Sequence, residues 1–70
     1  MTYRVIKEQN GSCRTLQITK DYNQALNYAI SEAKCNSSSE FHSEIQEALE
    51  DRGYYMCGWS STKIIIEAVN

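Results

Sequence analysis

Only three glycines occur in the 70 residues, Gly11, Gly53 and Gly58, and none belongs to a glycine-rich loop ahead of a helix. Nucleotide sites need such loops because glycine lets backbone N–H groups close around phosphate, so that class of function is excluded. Soft metal ligands are few: one histidine, His42, and three cysteines, Cys13, Cys35 and Cys57. Zinc sites bring their ligands in close pairs, since one tight turn then aims both at the ion, and no such pair exists here. Their composition would suit a Cys₃His set; their spacing does not. The same scarcity argues against thiol catalysis, which needs a base within hydrogen-bond reach and a group to orient that base. His42 is the sole histidine and nothing identifiable orients it, so it reads as a solvated residue early in a helix.

Long apolar runs are missing as well. Ile64-Ile65-Ile66 is followed at once by Glu67, far short of the roughly 18 residues that span a bilayer. Met1-Thr2-Tyr3-Arg4 opens into alternating residues with no apolar segment of signal-peptide type. A cytoplasmic protein with reduced, independent thiols is therefore expected. The Asn-x-Ser triplets at Asn10 and Asn36 then carry no glycan meaning.

What is present is ordinary globular composition: 41% apolar and 23% charged residues place the chain outside the disordered class. Residues 1–70 make one domain with a small core, the kind that often gains stability from a partner subunit. The net charge of −2 is unevenly spread. Arg4, Lys7, Arg14 and Lys20 outweigh Glu8 in the first 20 residues, whereas eight acids outweigh Lys34, Arg52 and Lys63 in the remainder.

Residues 2–9 and 12–19 are rich in strand formers and flank Asn10-Gly11, a pair suited to a type I′ turn because both positions take positive φ. With those two residues as the loop, Tyr3 faces Ile18 and Val5 faces Leu16 on one side. Arg4/Gln17, Ile6/Thr15 and Glu8/Cys13 lie on the other. Lys7 opposite Arg14 fits poorly on the apolar side and is expected beyond the core edge. Asp21, with Gln24 as capping-box partner, starts a helix over 22–35. Its stripe is Tyr22, Ala25, Leu26, Ala29, Ile30 and Ala33. After Asn36-Ser37-Ser38-Ser39 a second helix spans 39–52, with Phe41, Ile45, Ala48 and Leu49 as its stripe and Gly53 as its C′ residue. Residues 54–59 and 63–69 read as two more strands. Glu67 marks the solvated side of the last one, so Ile64, Ile66 and Ala68 point inward, Ile65 and Val69 outward.

The order ββααββ predicts an α+β domain: a four-stranded antiparallel sheet, strand order 2-1-4-3, with two helices on one face. That order puts the most apolar strand at the centre. The outer sheet face then carries Ile6, Thr15, Met56, Ile65, Glu67 and Val69, an apolar patch of the kind that marks interaction sites. Met56 holds its place there in competition with Tyr55 and Trp59. On the second helix Glu40, Glu44, Glu47, Glu50 and Asp51 read first as a solvated face; Glu44, Glu47 and Asp51 are the residues expected to meet a basic partner.

No catalytic, cofactor-binding or metal-binding residue is assigned. The expected function is a non-catalytic protein-binding or regulatory role, with another protein or a second copy of the chain as partner. The alternative is a nucleic-acid-binding module that uses Arg4, Lys7, Arg14 and Lys20 for phosphates and Tyr54, Tyr55 and Trp59 for bases. A sequence pI near 5.2 weighs against it. As a short acidic ββααββ chain, the protein resembles small proteins of phages and mobile elements, some of which act as anti-CRISPR proteins do, by covering a partner's surface. The resemblance is architectural and transfers no functional residue.

Overall fold

A computed structural model describes residues 1–35, 42–57 and 61–69. The elements follow the chain as β1 (Thr2–Gln9), β2 (Ser12–Thr19), α1 (Tyr22–Cys35), α2 (His42–Arg52), β3 (Tyr54–Met56) and β4 (Thr62–Val69). All strand pairs are antiparallel and their order is β2-β1-β4-β3. The expected α+β architecture is therefore the observed one.

The first hairpin turns where its residues demand. Asn10 has φ 53° and Gly11 φ 83°, the left-handed geometry of a type I′ turn. From that turn the pairs Gln9–Ser12, Glu8–Cys13, Lys7–Arg14 and Ile6–Thr15 run in the expected register. A bulge then interrupts β2 opposite the Val5/Ile6 step, and Val5 pairs with Gln17, Arg4 with Ile18 and Tyr3 with Thr19. The expected pairs Val5–Leu16, Arg4–Gln17 and Tyr3–Ile18 are corrected accordingly. Leu16 is the extra residue and still packs against the core. One inserted residue reverses which face the following side chains take. Ile18 consequently leaves the helix side and is 62% exposed.

Asp21 begins α1, its carboxylate accepting the Asn23 N–H at 2.9 Å. Gln24 does not close a capping box. Its Oε1 accepts the Thr19 hydroxyl at 2.9 Å, and the Thr19 oxygen accepts the Asp21 N–H at 3.2 Å. The N-terminal donor that a capping box would satisfy directly is reached through a threonine from β2. At the far end of the layer, Gly53 takes φ 84° and donates its N–H to the Leu49 carbonyl at 3.0 Å, ending α2 as expected. Its own carbonyl accepts the Ile66 N–H at 2.8 Å, so the residue that stops the helix also aligns β3 with β4.

One buried cluster joins the two layers: Val5 and Ile64 from the sheet, Ala25, Leu26, Ala29, Ile30 and Ala33 from α1, Ile45 and Leu49 from α2, and Cys57. Both helical stripes thus face the sheet. Tyr22 is half-buried and meets Tyr3 edge-on, ring centroids 5.3 Å apart. Burial and the nearby Glu50 carboxylate push the Tyr22 phenol upward from its ordinary pKa, with a smaller push from Tyr3. Several element ends differ from expectation. β3 covers Tyr54–Met56; Cys57, expected within it, lies beyond it although its N–H still reaches the Thr62 carbonyl at 2.9 Å, and positions 58–59 of the expected strand fall outside the described residues. β4 starts at Thr62. The expected helix start at 39, and with it Phe41, falls outside the described residues, as does Trp59. Ala68 lies on the helix-facing side opposite Tyr3 but is exposed.

Candidate functional site

The two central strands place their side chains alternately toward the helices and away from them. Val5 and Ile64 are fully buried on the helix side, so their neighbours in sequence define the outer face. Across it run three rows fixed by the registers. Ile18, Arg4 and Glu67 form the first; Thr15, Ile6, Ile65 and Tyr54 the second; Cys13, Glu8, Lys63 and Met56 the third. Thr2 and Val69 pair beyond the first row. Ile6 and Ile65 therefore meet at the centre of the face, with Ile18 and Met56, both more than half exposed, at opposite corners.

Every sheet residue expected at an interface (Ile6, Thr15, Met56, Ile65, Glu67 and Val69) lies on this one surface. Polar contacts hold it in shape. Arg4 pairs with Glu67 across β1 and β4. Two cations lie over the Tyr54 ring, the Lys63 amine 4.9 Å and the Arg52 guanidinium 5.3 Å from its centroid. The Cys13 thiol points to the Glu8 carboxylate at 3.7 Å. Arg4 and Glu8 lie with Ile6 on the side where the sequence reading placed them, while Ile18, Tyr54 and Lys63 belong to the face although sequence reading did not assign them to it. Ile18 escaped because the bulge has no glycine to announce it.

Glu44, Glu47 and Asp51 lie elsewhere. They are exposed on α2, in the other layer, around a shallow depression shared with Arg52 and Tyr55. The acidic helix and the apolar sheet face are two separate surfaces. The basic residues of the hairpin do not form one surface either. Arg4 is on the outer face; Lys7 and Arg14 are on the helix side near the turn, beside Gln9 and Ser12. Lys20 follows the opposite end of β2, six residues and roughly 20 Å of extended chain from Arg14. Tyr54 is on the outer face and Tyr55 packs against the core, so these two rings are not brought to one surface; Trp59, the third ring expected there, lies outside the described residues.

Chemistry at the thiols follows burial. Cys13 is exposed and Cys57 is 2% exposed, its Sγ 3.9 Å from the Ala33 carbonyl. Burial pushes the Cys57 thiol up from its ordinary pKa, and the weaker opposing influence of Lys7 does not offset it. Since thiolate is the reactive species, brief treatment of the native protein with a disulfide reagent should modify Cys13 and leave Cys57 unlabelled until denaturant is added. Peptide mass mapping reads the two sites separately, and equal labelling of both would contradict the burial of Cys57. Among the described residues no three of His, Cys, Asp and Glu come together as a metal cluster. No described helix is long and apolar enough to cross a membrane. Compared with known families, curated proteins and solved structures, the chain matches none.

Proposed function

We propose that this chain is a small non-catalytic binding protein whose contact surface is the outer face of the sheet. One observation carries the reading: Ile6 and Ile65 pair at the centre of a face that neither helix covers, with Ile18 and Met56 exposed at its corners. Contiguous apolar surface in a small domain marks a contact site more often than scattered single residues do.

The test is affinity capture from the native cell with three baits: the wild type, Ile65→Asp on the outer face and Glu47→Lys on α2. A specific partner retained by the wild type and Glu47→Lys but lost from Ile65→Asp is the expected result. Loss only from Glu47→Lys would transfer the contact to the acidic helix. No specific partner from any bait, together with a wild type that remains monomeric, would remove the reading altogether.

A further inference from the structure

We propose that the occupant of the outer face is a second copy of this chain, because the face is electrostatically complementary to itself. This rests on the reading that the outer face is a contact surface, and deepens it by naming the partner.

The charges around the central isoleucines are crossed. Arg4 pairs with Glu67 on one side of Ile6–Ile65, and Glu8 pairs with Lys63 on the other. β1 therefore carries a cation and then an acid, while β4 carries a cation beside the β1 acid and an acid beside the β1 cation. Going round the isoleucines the signs alternate: Arg4, Glu67, Lys63, Glu8. Each charged pair lies two residues from the centre, roughly 7 Å along the strands.

Sheets that pack face to face usually keep their strands nearly aligned, and a symmetric pair does so about a two-fold axis lying in the interface. Two aligned arrangements satisfy that condition. With the axis along the strands, β1 covers β4 of the other copy, so Arg4 meets Glu67 and Glu8 meets Lys63. With the axis across the strands, β1 covers β1, so Arg4 meets Glu8 and Glu67 meets Lys63. In both, each of the four corners sets a cation on a carboxylate, and the isoleucines meet in the middle. Alternation of sign is what makes this hold for either axis.

Other occupants fit less well. A polyanion or a uniformly acidic protein laid on the face would oppose Glu8 and Glu67; a uniformly basic one would oppose Arg4 and Lys63. The acidic residues of α2 do not resist self-association, because they lie in the layer that a face-to-face pair turns away from its interface. The net charge of −2 per chain thus remains mostly on the outside of the pair.

Sedimentation velocity over a wide concentration range, extending to hundreds of micromolar, tests this, with circular dichroism as the check on folding. The wild type should reach twice its 8.0 kDa mass. Ile65→Asp should remain monomeric. Arg4→Glu sets acid against acid in either arrangement and should weaken the dimer by on the order of tenfold or more. Reversing all four signs together (R4E, E8K, K63E and E67R) restores the alternation and should restore the dimer. Because the reversal also restores the Arg4–Glu67 pair within each chain, the urea midpoint of each variant is measured in dilute protein alongside. Loss of the dimer by Arg4→Glu with a midpoint near wild type places the effect at the interface, whereas a midpoint that falls and recovers with the dimer would overturn the role of these charges in self-association. A wild type that is monomeric throughout would overturn self-association, leaving the capture comparison to decide whether the face binds a different protein. A dimer that Ile65→Asp and Arg4→Glu leave intact would also overturn it, because the pair would then use another surface.

Discussion

Replacing Ile64 by alanine is expected to destabilise the fold by about 2–5 kcal/mol, the range for truncating a fully buried isoleucine where the surroundings relax only in part. For a chain of this length that is a large share of the stability at hand, since native proteins hold roughly 0.05–0.15 kcal/mol per residue. Ile64 is 0% exposed and belongs to the buried cluster that includes both helices and Cys57. It lies on a central strand, paired to Lys7 on one side and Tyr55 on the other. A cavity there would open beneath both helices at once. Ile65→Ala, one residue along on the same strand, should cost less than about 1 kcal/mol in dilute protein, because its side chain lies on the uncovered face. Urea unfolding followed by circular dichroism separates the two: Ile64→Ala should lower the midpoint sharply or leave the chain unfolded, while Ile65→Ala stays near wild type. Equal losses would mean that the strand has no distinct inner and outer faces.

That contrast shows what was legible in the sequence. Glu67 labels one side of β4 as solvated, and strict alternation then assigns Ile64 and Ile65 to opposite faces. Asn10-Gly11 likewise declares its turn, because the two residues that most readily take positive φ stand together between strand-forming runs. The register is legible from that turn as far as Ile6. It fails at Leu16 and Gln17, where an ordinary apolar–polar alternation conceals one extra residue, and the error carries Ile18 to the wrong face. The capping of α1 was read locally as Asp21 with Gln24, but a tertiary neighbour, Thr19, competes for the glutamine and mediates the contact.

The candidate surface was half legible for a related reason. Its apolar members follow from period-two alternation within single strands. Its crossed charges do not, because they exist only through the pairing of β1 with β4, residues some sixty positions apart in the chain. The turn's register already sets Arg4 and Lys7 on opposite sides of the hairpin; what it cannot show is that β4 brings Glu67 beside Arg4 and Lys63 beside Glu8, which creates the alternating patch.

Ala29→Leu argues the same logic from the helix side, and should cost about 1–3 kcal/mol by overpacking. Ala25, Ala29 and Ala33 are each 0% exposed and recur at four-residue spacing, so they form one line along α1 against the rest of the core. Small side chains on that line let the helix lie close to the sheet; leucine at the middle position would push the helix outward or force Val5, Ile64 and their neighbours off their rotamers. By intrinsic helix propensity the substitution is nearly neutral, so any substantial loss reports packing. Asn27→Leu supplies the comparison, since Asn27 is exposed on the same helix and leucine there improves propensity without touching the core. In thermal or urea unfolding, Ala29→Leu should fall well below wild type while Asn27→Leu remains within about 0.5 kcal/mol of it. An Ala29→Leu variant as stable as wild type would show that α1 sits with slack above the sheet, and that the alanine line reflects helix propensity rather than a packing constraint.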